Sequence, residues 1–135
     1  MSYLLDTNVV SETRKRRPPL QIVAAINAIP LGLAHISVLT LGEMRRGVVM
    51  KAAADHQSAI EFENWLDDVQ ITLAGRILPV TPAIALRWGE LNVGRTRPII
   101  DTLLAATALV HDLTVVTRNE RDFADLGVRL LNLWR

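Results

Sequence analysis

Four carboxylates stand where the chain is otherwise apolar. Asp6 closes the run "YLLD", Glu43 lies in "LTLGEMRRG", Asp101 in "PIIDTLLAATAL" and Asp122 in "TRNERDF". A charge in apolar surroundings is costly unless it is paired or holds a metal, so the question is whether these four meet. Carboxylates gathered without histidine or cysteine suit hard divalent cations, Mg2+ above all, which takes oxygen ligands and keeps several waters. One or two such ions could activate a water and stabilise the charge developing on a phosphodiester. Each acid also has an ordinary role open to it. Asp6 could make a turn after a strand. Glu43 could pair with Arg46 three residues on. Asp101 could complement a helix dipole in a first turn, and Asp122 could form a capping pair with Asn119. Asp101 fits its ordinary role poorly, because it interrupts a helix that is otherwise nearly all apolar.

The elements that must position these acids alternate along the chain. Strand signals fall at "SYLL", "LAHIS", "ILPV", "LTVVT" and "VRLL", with helical periodicity between them. "PLQIVAAINAI" begins at a proline pair, where proline suits a helix start. "VLTLGEMRRGVVMKAA" follows Ser37, a good N-cap. "HQSAIEFENWLDDVQITLA" places Ile60, Trp65, Leu66 and Val69 on a stripe, with Gly75 as a stop. "PAIALRWGELNV" begins with Pro82 after Thr81, and "PIIDTLLAATALVHD" again has proline in its first turn. The strands are continuous apolar runs, as burial on both faces requires, so the pattern predicts an α/β fold: a mostly parallel sheet covered by helices on both sides. In such a sheet ligands sit at the carboxyl ends of the strands. Strand ends and the starts of the following helices share one rim, and all four acids can converge there.

Composition narrows the field. A chain of 135 residues reads as one domain spanning 1–135, long enough to bury a core without disulfides or structural metals. With no cysteine, disulfide frameworks, thiolate zinc sites and cysteine nucleophiles are excluded. No apolar run approaches the roughly 20 residues of a bilayer span, and the first residues lack signal-peptide features, so a cytoplasmic protein away from membranes is expected. Half of the residues are hydrophobic, with a mean hydropathy of +0.23. That excess predicts a partner or a homodimer. Net charge is only +1, and Lys15 and Lys51 are the only lysines among 15 Lys+Arg. Arginine's planar fork suits phosphate and carboxylate, although a coding bias gives the same count. The run Arg14, Lys15, Arg16 and Arg17 lies near Asp6, and Arg46, Arg95 and Arg97 could also reach phosphates; the run could equally be a solvated loop. His35, His56 and His111 share no metal-ligand spacing, and no glycine-rich phosphate loop occurs. Asn8, two residues after Asp6, counts against an aspartyl-phosphatase of the haloacid-dehalogenase type.

Taken in order, "YLLDTNVVSE", "ISVLTLGEMRRGV", "AGRILPV", "IIDTLLAATAL" and "LTVVTRNERDF" closely resemble the PIN-domain toxins of bacterial VapBC toxin–antitoxin pairs, over nearly the whole chain. The resemblance implies a three-layer α/β/α PIN-like domain and an endoribonuclease dependent on Mg2+, with Mn2+ as a possible substitute. The family's acidic quartet falls on Asp6, Glu43, Asp101 and Asp122, the first three holding the essential ion and the last supporting a second ion or the attacking water. Asn8, Thr117 and Asn119 match accessory polar positions. Homodimerisation, a cognate antitoxin and an RNA target are implied as well. The alternative is a non-catalytic PIN-like module that binds RNA or a protein. Two departures, a short "ELNVGRTRP" segment and the ending "LLNLWR", bear on substrate preference rather than on the quartet.

Overall fold

The computed structural model describes residues 1–15 and 17–135. Five strands, β1 (Ser2–Leu5), β2 (Ala34–Ser37), β3 (Ile77–Leu78), β4 (Leu113–Val116) and β5 (Leu130–Leu131), form one sheet in the order β3-β2-β1-β4-β5. Every pairing among the described residues is parallel. The helices are α1 (Thr7–Val10), α2 (Leu20–Asn27), α3 (Val38–Ala54), α4 (His56–Thr72), α5 (Pro82–Leu91), α6 (Ile99–His111) and α7 (Glu120–Phe123).

Side chains alternate across a strand, and the core divides accordingly. Leu5 and Val116 face Met44 and Val48 of α3 and Leu66 of α4. Their neighbours Leu4 and Val115 face Leu104, Ala105 and Ala108 of α6. Two apolar layers, one on each side of the sheet, make the architecture three-layered α/β/α. Alanines at two of these α6 positions (105 and 108), both essentially without solvent exposure, let that helix approach the sheet closely.

The predicted elements are present with shifted ends, each for a local reason. Ser37 caps α3 by accepting from Leu39 N at 3.0 Å, and Thr81 caps α5 by accepting from Ile84 N at 3.3 Å. β3 stops at Leu78 because Pro79 has no N–H for the ladder. The stripe expected for α4 differs at one position. Trp65, Leu66 and Val69 pack on the core as expected, whereas Ile60 is 52% exposed and Ala59 and Phe62 take the packed face on either side of it. After α4, Gly75 adopts φ +83, a left-handed turn that favours glycine.

The chain runs outward from β1 through β2 to β3 and then returns to place β4 on the other side of β1. The strand order therefore reverses between β1 and β4, and at such a switch point the carboxyl ends of the two strands open a crevice. Asp6 follows β1 there, and Thr117 follows β4.

Candidate functional site: an acidic centre at the switch point

Asp6 is held from three sides. Its backbone N donates to Val116 O at 2.9 Å, extending the β1–β4 ladder by one step. Its side chain caps α1, with Oδ1 accepting from Thr7 N at 2.7 Å. Oδ2 accepts from Asn8 Nδ2 at 3.1 Å and from Thr117 Oγ1 at 2.7 Å. Asn8 Oδ1 accepts in turn from Arg118 N at 3.3 Å, and Thr117 Oγ1 from Asn119 N at 3.0 Å. Asn8, Thr117 and Asn119 thus form one network around a carboxylate that is 4% exposed. The turn expected of "DTN" and the delivery of a carboxylate to a site are the same structure.

Glu43 reaches this rim from α3. Its Oε1 accepts from Thr7 Oγ1 at 2.5 Å, and the same hydroxyl lies 3.2 Å from Thr40 Oγ1. A hydroxyl has one proton to give. Thr7 therefore donates to Glu43 and accepts from Thr40, one helical turn before Glu43 and fully buried. Among the described residues Arg46 makes no ion pair with Glu43. Thr7 and Thr40 were not assigned a role in the sequence. The i, i+3 spacing of Thr40 to Glu43 was the available signal.

Asp101 and Asp122 complete the cluster. Asp101 lies in the first turn of α6 and is half-buried. Its carboxyl is pushed up to about 7, first by burial, then by the charges of Asp6 and Asp122, by a hydrogen bond with Asp122 and by the charge of Glu43. The Asp6 carboxyl is also raised, burial leading, against the hydrogen bonds from Thr117, Thr7 and Asn8 that favour its charged form, with Glu43 adding repulsion. Asp122 is not part of a capping pair. The Asn119 side chain makes no cap bond to α7, and Asn119 N is taken by Thr117.

Four carboxylates from four separate segments therefore repel one another at one rim. Among the described residues no ion pair reaches any of them. Nor, among the described residues, are three of them already arranged as a finished cage for a metal ion. Repulsion of this kind favours protonation or an added cation.

The basic residues are placed less uniformly. Arg14 lies 4.9 Å over the Phe62 ring, in a groove of about 440 Å3 that Glu43 also lines. Lys15 pairs with Glu12 at 2.9 Å, Arg16 lies outside the described residues, and Arg17 and Arg46 are exposed. Arg95 and Arg97 both bind Asp125, at 3.4 and 3.0 Å. The Arg97 side chain is only 10% exposed, so its guanidinium is committed to Asp125. Three arginines not singled out in the sequence, Arg118, Arg121 and Arg135, line a depression together with Asp122.

Among the described residues no helix is long and apolar enough to cross a membrane. The profile of the family described as PIN domain matches residues 3–128. In sequence the chain is similar to the toxin FitB of Neisseria gonorrhoeae, 31% identical over 97% of each chain. It is also similar to the VapC ribonuclease Y4jK of Sinorhizobium fredii, 31% identical over 97% of this chain and 96% of that one. In structure it resembles FitAcB from Neisseria gonorrhoeae, with a TM-score of 0.91 at 30% identity, covering 98% of this chain and 99% of that one. It also resembles DNA-bound VapBC from Salmonella typhimurium, with a TM-score of 0.76 at 25% identity, covering 98% of each chain. The three-layer fold, the order of its segments and this sequence similarity agree: the chain belongs to the PIN-domain family, beside the VapC-type toxins.

Proposed function

We propose that this chain is the toxin of a toxin–antitoxin pair and cleaves RNA as a Mg2+-dependent endoribonuclease, through Asp6, Glu43, Asp101 and Asp122. One observation carries the reading: four carboxylates from separate segments converge at the switch point, and among the described residues no ion pair reaches any of them. The donor set is all oxygen, which fits Mg2+ or Mn2+ and fits zinc or copper poorly. Asp6, Glu43 and Asp101 are the residues to hold the ion, with Asp122 supporting. When bound, a divalent ion lowers the pKa of a water ligand and stabilises charge on the phosphodiester oxygens.

The chain's own residues set up that chemistry. Thr117, Asn8 and the Thr7 amide fix both oxygens of Asp6 and favour its ionised form. Thr7 orients Glu43. Asp101, whose carboxyl is pushed up to about 7 beside Asp122, can take up or give a proton beside the reacting phosphate. The toxin reading draws on the relatives named FitB and VapC ribonuclease. Solved neighbours described as a toxin–antitoxin complex from Klebsiella pneumoniae and a member of the VapBC family of toxin–antitoxin systems support a cognate antitoxin as partner. Exposed apolar side chains such as Val93 at 78% and Leu86 at 72% support a homodimer.

A second reading, a non-catalytic binding module, is favoured by the absence of a finished metal cage among the described residues. Incubating a fluorescent single-stranded RNA reporter with the purified chain separates the two. Cleavage with Mg2+ that stops on adding EDTA is expected, whereas binding without cleavage supports the module.

Two substitutions probe how the site is held. In Thr7→Val the shape is kept but Glu43 loses its donor, so cleavage should fall about tenfold. Stability should fall by about 1–3 kcal/mol, because the buried Thr40 hydroxyl is left without its acceptor. Parallel thermal melts and cleavage rates check both. Asp122→Asn should leave the melting temperature close to wild type, since no cap is lost. Its cleavage should drop most at low Mg2+ and recover partly as metal is added, because three acids remain. A lowered melting temperature with an unchanged rate would assign Asp122 a purely structural role.

A further inference from the structure

The depression beside Asp122 is polar, about 530 Å3, and Arg118, Arg121 and Arg135 line it. Glu120 neutralises Arg135 through an ion pair at 2.9 Å. Arg118 and Arg121 are exposed, and among the described residues neither forms an ion pair. Two uncompensated guanidinium groups therefore stand next to a cluster of carboxylates.

Arg118 is also held in place. Its backbone N is tied to Asn8, which binds Asp6 directly, so the segment is registered on the acidic centre. Its guanidinium lies 5.3 Å over the Trp134 ring, and the Trp134 backbone N is itself fixed by Asn132 Oδ1 at 2.9 Å. A guanidinium stacked on an indole keeps its edge N–H groups free, and that planar fork matches a phosphate.

We propose that Arg118 and Arg121 form a phosphate-binding subsite for the RNA strand on the Asp122 side of the acidic centre, with Trp134 fixing the Arg118 guanidinium. The subsite deepens the ribonuclease reading and rests on it for the identity of the strand. Its role is positioning: it holds a backbone phosphate next to the scissile one and reads no base.

Binding can be measured apart from cleavage. Fluorescence anisotropy of a labelled, mixed-sequence, single-stranded RNA, with the full chain in EDTA across a salt series, gives affinity and salt slope. Arg118→Ala and Arg121→Ala should each weaken binding about tenfold and flatten the slope of log affinity against log salt by about 0.7. Arg118→Lys should restore the slope but not the full affinity, having the charge without the fork. The control is Arg129→Gln, which removes one charge at the opposite rim, where Arg129 binds Asp112 at 2.8 Å. It should match wild type in slope to within the effect of net charge. Thermal melts confirm that these surface variants remain folded.

Arg118→Ala and Arg121→Ala behaving like Arg129→Gln, or a wild-type chain that does not bind the RNA, would overturn the subsite. Repeating the series with Mg2+ separates this from the parent reading. Cleavage by wild type with binding indifferent to both arginines removes the subsite alone. Arginine-dependent binding without cleavage removes the ribonuclease reading and leaves the subsite as a binding site.

Discussion

Asp6→Asn should reduce RNA cleavage by about 10³-fold or more while the protein stays folded. The magnitude follows from withdrawing a metal-bound carboxylate: a contribution of about 4 kcal/mol to the barrier is about three powers of ten in rate. Folding should not suffer. The asparagine carbonyl can accept from Thr7 N as Asp6 Oδ1 does at 2.7 Å. Thr117 can accept from the new amide by turning its hydroxyl. Asn8 Nδ2 loses the acceptor it has at 3.1 Å on Oδ2, which costs about 1 kcal/mol and is offset by relief of the buried charge. The charge removed is one whose burial raises its carboxyl's pKa, so the metal-free variant should melt at or above the wild-type temperature near neutral pH. Cleavage rates and melts on the same preparations check this. Full activity of Asp6→Asn at moderate Mg2+ would remove Asp6 from the metal site.

The second large effect is expected at Asp101, where pH is the readout. Its carboxyl keeps its proton to about pH 7 in the fold, against an ordinary value of 3.8. The folded state therefore binds more protons than the unfolded chain between those values, and linkage makes stability fall as pH rises. The metal-free protein should lose stability from about pH 4 to about pH 7, and Asp101→Asn should flatten that slope. Divalent metal should oppose the loss, since it takes the ionised form and displaces the proton. Cleavage by wild type should accordingly rise with pH toward 7, and Asp101→Asn should be inactive by a factor comparable to Asp6→Asn. Urea unfolding across this range, with and without Mg2+, gives the slopes. An Asp101→Asn slope equal to the wild type's would place the titration elsewhere.

The parts of this site that could be read from the sequence are those carried by long, simply patterned segments. β1, β2 and β4 read as buried strands because their apolar runs are continuous, and the polar residue closing each run marks the rim. The sequence pattern therefore places Thr117 and Asp6 at strand ends, where the fold joins them by a 2.7 Å hydrogen bond. α6 was legible for the same reason, and Asp101 stood out against it. What was missed is short or non-local. α1 and α7 have four residues each, too few for a helical period to show. The bond from Thr7 to Glu43 spans 36 positions, and the pairing of Arg97 with Asp125 spans 28. No local pattern announces either. Arg97 is instructive, because an arginine near the third acid suggested a phosphate contact, yet the fold turns it onto Asp125. Nothing local in "TRNERDF" sets Arg118 and Arg121 apart from the other exposed arginines; what distinguishes them, the Trp134 ring and the neighbouring acidic rim, is brought alongside by the fold.

The account depends most on the acidic centre holding a divalent ion, and that can be counted. Titrating the metal-free chain with Mn2+, and following the free ion by electron paramagnetic resonance, measures bound metal without reference to activity. Wild type should bind at least one Mn2+ per chain, Mg2+ should displace it, and cleavage of the RNA reporter should rise with occupancy. Asp6→Asn should lose most of that binding. Equal Mn2+ binding by wild type and Asp6→Asn, or cleavage that persists with no metal bound, would contradict the central claim.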